Sequence, residues 1–294
     1  MLVTYRVAIP SYRRAEMCRK KTLNFLILGG VPMDRITVFV ANTEERDAYA
    51  AEMAGQGVKI VIGELGLVRQ REFIRRYYPE GTMVVNADDD VSALTEPNPV
   101  APNPQITILK DADAFFSEMF RIQDSVDASM WGIYPIDNRK FMLNQKRYSI
   151  GLVFVVGSVW GHKVSRDSTL NPSAAPASGS KEDYERILIY WSSGRSILRC
   201  NHVTAKSKYY SEDGGISALA GGVPQRREME RQAVEALTAR YPQFVRVAKV
   251  RNAGYEEIRL KNRGLVRHFL NPEDLEQPTA QPEPEAANAQ PELF

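Results

Sequence analysis

The chain has 294 residues, 44% of them hydrophobic and 25% charged, a globular balance that excludes wholesale disorder. Two cysteines, Cys18 and Cys200, exclude a disulfide framework and point to a reducing compartment. No run of about 18 apolar residues is present to span a bilayer, and no secretory pattern precedes the first strand-like segment, so a cytoplasmic protein without membrane contact is expected.

The net charge of +2 conceals an asymmetry. Residues 271–294 hold six acidic side chains, five prolines and no Lys or Arg, which predicts a disordered acidic tail. Without them 38 basic side chains face 30 acidic ones, a net +8 over residues 1–270 that permits contact with a polyanion.

Leu2–Ile9 is rich in β-branched residues and reads as a strand stopping at Pro10. Ala15–Leu28 follows at helical period and stops at Gly29-Gly30. Ile36–Val40 is a continuous apolar run, as a strand covered on both faces requires. Glu44–Met53 reads as a helix, Val58–Ile62 as a strand, Leu67–Tyr78 as a helix and Thr82–Val85 as a fourth strand. This alternation predicts an α/β fold, a mostly parallel sheet with helices on both faces.

The second half is less regular. Helices are expected at Ala112–Gln123, Lys181–Ser193 and Gln225–Tyr241, and strands at Tyr148–Val156 and Ser196–Cys200. Residues 165–180 form a polar, small-residue segment without periodicity, which reads as a mobile loop. Phe244–Val250 and Tyr255–Leu260 read as a hairpin turning at Arg251-Asn252-Ala253-Gly254.

Asp88-Asp89-Asp90 directly follows the fourth strand. Ligands of open α/β sheets bind beyond the carboxyl ends of strands, and three adjacent carboxylates repel one another unless a cation neutralises them. Oxygen-only ligands suit Mg²⁺ or Mn²⁺ bound together with substrate phosphates. The bland reading is a solvated acidic turn.

Pro10-Ser11-Tyr12-Arg13-Arg14 leaves the first strand on the same edge, where a hydroxyl, a stacking ring and a guanidinium would suit a nucleotide; an ordinary strand-to-helix turn is the other reading. Glu182-Asp183 opens a helix, either to complement the helix dipole or to present a general base. His202 is one of three histidines and reads as a metal ligand or a structural imidazole. Arg69 and Arg71 open the third helix, as donor contacts or solvated charges. Basic residues cluster at Arg13, Arg14, Arg19, Lys20 and Lys21. From Arg240 to His268, eight Lys and Arg face only Glu256 and Glu257, a stripe suited either to solvent or to a phosphate backbone.

In order, these pieces resemble a GT-A glycosyltransferase. Ile9-Pro10-Ser11-Tyr12 is similar to that family's first-strand nucleotide loop, Asp88-Asp89-Asp90 to its DXD motif, and Glu182-Asp183 to its xED motif. The segments IPSYRRA, GLVRQREFI, NADDDV, KEDYERIL and SKYYSEDGG further resemble the TET-associated glycosyltransferases of bacteriophages, relatives of base J glucosyltransferase; the likeness covers roughly residues 3–225. It implies a nucleotide-sugar-binding half over 1–110, an acceptor and catalytic half of the same domain over 111–224, and beyond it a basic helix and strands over 225–270.

It also implies a UDP-sugar donor with Mn²⁺ or Mg²⁺ as cofactor. Asp88 would contact the ribose and Asp90 the metal, with Asp89 supporting either. Asp183 would be the base, His202 a second metal ligand and Arg71 a donor contact, although Gln70 and Glu72 depart from the family's Ala-Arg-Asn wording. The expected reaction is sugar transfer, with inversion, onto a 5-hydroxymethylpyrimidine in DNA, foremost 5-hydroxymethylcytosine. A polysaccharide, lipid or protein acceptor is the alternative, as is a noncatalytic DNA-binding scaffold.

Overall fold

The computed structural model describes residues 3–98, 106–171, 180–207, 223–248 and 257–275. Strands β1 (Tyr5–Pro10), β2 (Ile36–Val40), β3 (Lys59–Ile62) and β4 (Met83–Ala87) lie parallel in the order β3-β2-β1-β4. Every residue of β2 is buried, as its unbroken apolar run predicts. Helix α1 (Ala15–Cys18) continues through a π-helical turn, Arg19–Leu23, into α2 (Asn24–Leu28); α3 (Thr43–Glu52) and α4 (Leu67–Tyr77) complete the alternation.

After β4 come β5 (Ala93–Pro97), β6 (Ile106–Ile108), α5 (Ala112–Ser125), β7 (Ala128–Tyr134), the short α6 (Arg139–Leu143), β8 (Tyr148–Gly151) and β9 (Val159–Lys163). They are followed by α7 (Glu182–Ser192), β10 (Ser196–Lys206), α8 (Val223–Arg240), β11 (Val245–Ala248), β12 (Glu257–Leu260) and β13 (Val266–Phe269). Here the sheet becomes mixed. β9 inserts antiparallel between β4 and β7, and β10 runs parallel to β7. β8 and β13 extend that edge, while β5 and β6 attach to the far end of β10, giving eleven strands in all. The carboxyl ends of β1, β4, β7 and β10 therefore share one edge of the sheet.

Two core layers flank it. Alternate residues of β1 face opposite ways: Tyr5, Val7 and Ile9 pack with α1, α2, α3 and α5, and Ala8 packs with Ile74 of α4. α7 covers Met130, Trp160 and Ile197, on the same face as α4. α8 and the β11–β12 hairpin pack outside α7 through Leu188, Val234, Leu237 and Ile258.

The second half departs from expectation in several places. The strand begun at Tyr148 ends at Gly151, whose φ of +127° turns the chain and whose missing Cβ would lie 2.0 Å from the Leu265 carbonyl oxygen. β10 runs on to Lys206 because its second half pairs with β5. β7 and β9 are additional central strands; a Cβ on Gly161 of β9 would lie 2.3 Å from the Trp131 indole of β7. Of the expected loop 165–180, Ser168–Leu170 forms a single 3-10 turn. The tail expected to be disordered from 271 begins instead with a 3-10 turn, Pro272–Leu275; residues 172–179, most of SKYYSEDGG, the turn at 251–254 and the tail from 276 lie outside the described residues.

Candidate active site

β4 carries the aspartate triplet to the shared edge, and its turn is fixed from both sides. The Asp88 amide donates to the Ser158 carbonyl at 2.8 Å. From the π-helical turn, the Thr22 hydroxyl donates to the Asp88 carbonyl at 2.7 Å and accepts from the Val91 amide at 3.0 Å. Such turns recur where a helix is locally widened for function.

The three aspartates differ in role. Asp89 points inward, 6% exposed; its Oδ2 accepts from Ser11 at 2.5 Å and its Oδ1 lies 3.3 Å from Arg14 Nη1. Ser11 in turn meets the Tyr49 hydroxyl at 2.6 Å, and Tyr49 accepts the Arg14 amide at 3.0 Å. Asp89 thus clasps the opening loop to the triplet. Burial pushes its carboxyl up to about 6, against the pull of Arg14 and Ser11.

Asp88 accepts from Arg71 Nη2 at 2.9 Å. Burial raises its carboxyl to about 7; Arg71 opposes the rise, and Asp90, Glu182 and Asp89 add to it.

Arg71 joins the two motifs. Its side chain is 8% exposed, it donates to the Gly157 carbonyl at 3.1 Å, and its Nε lies 3.4 Å from Glu182 Oε1. The other Glu182 oxygen accepts from Arg186 Nη1 at 2.8 Å. Asp183, the next residue, accepts the Tyr184 amide at 2.9 Å. Burial pushes Asp183 up to about 6, with Glu182 adding and Arg186 opposing. Gly157 permits this assembly, since a Cβ there would come within 2.9 Å of Glu182 Oε1 and 3.7 Å of Asp183 Cβ. Lys181, at φ +58°, starts the helix and pairs with the buried Glu230 of α8 at 2.7 Å; Arg240 of α8 lies 4.0 Å from the fully buried Glu185.

Of the other expected residues, Pro10 is buried at the end of β1, while Tyr12 is half-buried beside the exposed Arg13, whose guanidinium lies 5.1 Å from the ring centre. Arg69 is exposed, unlike Arg71. His202 lies in an irregular stretch of β10, where the register against β7 shifts between Cys200 and Thr204. Its Nε2 donates to the Gln145 carbonyl at 2.9 Å. The N-terminal basic cluster is internally paired: Arg14 with Asp89, Arg19 with Glu52, Lys20 with Glu16. By contrast, Arg246 and Arg259 are exposed and directly opposite across β11–β12, and neither has a carboxylate partner among the described residues.

The donor set at the triplet is all oxygen. Among the described residues no three His, Cys, Asp or Glu form a closed metal cage. Raised carboxyls that repel one another, too few to enclose an ion, fit Mn²⁺ or Mg²⁺ completing its shell with phosphate oxygens.

Thr22, Tyr49, Gly157 and the Lys181–Glu230 pair were not singled out by the sequence. Thr22 and Gly157 act through backbone geometry and leave no chemical signature; Glu230 sits in a helix so highly charged that its one inward-facing acid is hidden among outward ones.

No family model and no curated protein sequence matches the chain. Among solved structures, S. aureus TarS in complex with UDP-GlcNAc superposes with a TM-score of 0.51 at 11% identity, over 82% of this chain and 73% of that one. The mannosyltransferase PcManGT from Pyrobaculum calidifontis, in complex with GDP-Man and Mn²⁺, gives 0.44 at 14% identity over 79% and 64%. Glucosyl-3-phosphoglycerate synthase from Mycobacterium tuberculosis gives 0.43 at 11% identity over 81% and 79%. The chain has the GT-A, Rossmann-like fold.

Proposed function

We propose that this GT-A-fold chain is a glycosyltransferase that moves a sugar from a UDP-sugar to the hydroxymethyl group of 5-hydroxymethylcytosine in DNA. The reading rests on one observation: Arg71 ties Asp88 to Glu182, so the aspartate triplet and the residue before Asp183 meet at one guanidinium.

In this reading Ser11 and the clasped loop, with Tyr12 and Arg13 at its exposed end, bind the nucleotide, and Asp88 takes the ribose. Asp90, with Asp88 beside it, would hold Mn²⁺ or Mg²⁺, which supplies charge neutralisation for the departing diphosphate. Arg71 orients Asp88 and Glu182. Asp183 accepts the proton of the acceptor hydroxyl as that oxygen bonds to the anomeric carbon and the bond to UDP breaks, which inverts the configuration. A carboxyl raised to about 6 is ionised at neutral pH yet more basic than a free aspartate.

The acceptor is argued from charge. Like charges directly opposite across strands destabilise a hairpin, and the Arg246–Arg259 pair is relieved by a phosphate backbone laid across it. A base inside a duplex is hidden, so the nucleotide is flipped out to reach Asp183, at roughly a few kcal/mol.

The test is incubation with hydroxymethylated DNA, Mn²⁺ and a panel of UDP-sugars, followed by mass analysis of the digested nucleosides. A hexose increment on the modified nucleoside is the expected result. Donor hydrolysis without DNA modification would reject the DNA acceptor and keep the transferase, with a polysaccharide, lipid or protein as substrate. Plain DNA binding with no donor turnover would leave only a binding scaffold.

A further inference from the structure

α4 and α7 cover the same sheet face, and between them lies a cavity of about 60 Å³ over β9, whose lining includes Arg71, Arg75, Trp160, His162, Arg186 and Tyr190. That lining is one-sided in its hydrogen bonding. Arg71 and Arg186 are more than nine-tenths buried, with 8% and 9% of their side chains exposed. Arg71 Nη1, Arg186 Nε and Nη2, and Trp160 Nε1 are buried with no acceptor among the described residues. Both guanidiniums lie against the Trp160 ring, at 5.5 and 3.9 Å from its centre.

His162 adds a donor. Its Nδ1 faces the Asn86 amide at 3.3 Å, which places the ring proton on Nε2. Burial and the three neighbouring guanidiniums push its pKa down to about 3, so the ring is neutral.

The acceptors in the lining are already engaged. Glu72 holds Arg75 through both oxygens, at 2.9 and 2.8 Å. Glu182 gives one oxygen to Arg71 and the other to Arg186. Three guanidiniums face two carboxylates in the lining, and Asp88 meets Arg71 from outside it at 2.9 Å. A buried donor without an acceptor costs about 1–3 kcal/mol, and Arg71, Arg186 and Trp160 each carry at least one around this space, so it favours an occupant that only accepts hydrogen bonds, as a small anion does. At about 10–15 Å³ of such volume per water, it has room for a few waters or one small ion.

We propose that this cavity is a binding site for a small monoanion of halide or formate size, held between Arg71 and Arg186 behind Glu182. Such an ion bridges the two guanidiniums and fixes the arginine that in turn holds Asp88. The inference is independent of sugar transfer, since it concerns the α4–α7 core and not the substrates.

Two measurements on the full chain test it. Crystals soaked in sodium bromide are expected to give an anomalous difference peak between Arg71, Arg186 and Trp160; density there that refines as water, with no anomalous signal, would overturn the proposal. In solution, thermal unfolding is compared in chloride and in gluconate at equal ionic strength. A Tm about 2–4 °C higher in chloride is expected, and Arg186→Gln is expected to abolish the difference. Equal Tm values in the two salts, or a shift that survives Arg186→Gln, would overturn it. If that variant does not fold, the bromide experiment on the unaltered chain decides.

Discussion

The Ser11 hydroxyl donates to Asp89 Oδ2 at 2.5 Å, and this contact, with Arg14, sets Asp89 apart from Asp88, which Arg71 holds instead. Asp89→Ala leaves Ser11 and Arg14 without their common acceptor. A loss of about 1–3 kcal/mol is expected for such a buried group, read as a lower Tm, with donor binding weakened because the opening loop is released. Asp90→Asn is expected to leave the Tm nearly unchanged and to lower sugar transfer by about 10²–10³-fold. Melting curves and turnover of the two variants, side by side, check the division; equal melting losses would dissolve it.

Asp183 yields a prediction with a definite sign. Its carboxyl is raised to about 6 from 3.8, so the proton-accepting form is lost as the pH falls through 6. The logarithm of kcat/KM is expected to fall with unit slope below that pH. The same shift means that the folded chain binds this proton more tightly than the unfolded one. Asp183 therefore favours the fold at low pH, and that contribution is lost as pH rises through 6. Asp183→Asn removes the repulsion from Glu182, and at pH 7.5 it is expected to raise the Tm by a few degrees while reducing transfer by about 10²–10⁴-fold. A variant that is active and less stable would contradict both halves.

The helix that presents Asp183 is held from outside. Lys181 and Glu230 are both largely buried, at 12% and 4% side-chain exposure. Breaking a buried ion pair from one side costs about 3–5 kcal/mol because the remaining charge is stranded. Lys181→Ala is expected to lower stability by that order, and Lys181→Met combined with Glu230→Leu to recover most of it. A purely structural role predicts that kcat returns with stability in the double variant. The αL start of the helix at Lys181 predicts that Lys181→Gly is milder than Lys181→Ala, and denaturant titration of the variants measures all three.

How much of this was readable in advance follows from the physics of each element. The parallel half was legible because β2 is apolar throughout and the first and third helical segments stop at Gly29 and before Pro79, so period and punctuation agree. β7 and β9 were not, because Ser129 and Gly132 interrupt the apolar run of β7 and β9 is five residues long with Gly161 and His162 in its buried part. The aspartate triplet and Glu182-Asp183 stood out by composition, but their meeting did not. It depends on Arg71, on the side-chain-free Gly157 and on Thr22, which hold backbone or bridge charges across 86 residues or more of intervening chain in the case of Arg71 and Gly157. His202 stood out as a rare imidazole, yet its Nε2 is taken up by the Gln145 carbonyl.

Arg246 and Arg259 provide the sharpest test of the acceptor. Their guanidiniums project from the same face of the β11–β12 hairpin, whose opposite face packs Val245 and Ile258 into the α7–α8 core. Changing both to Gln removes a mutual repulsion and touches nothing buried, so the fold is expected to be as stable or slightly more so. If a phosphate backbone runs across the hairpin, the slope of log Kobs against log salt for duplex DNA becomes shallower by about 2 in the double variant. Hydrolysis of the UDP-sugar in the absence of DNA stays unchanged, because neither arginine borders the triplet. An unaltered salt slope would remove the hairpin from the DNA-binding surface and leave the transferase reading to stand on the Arg71 link alone.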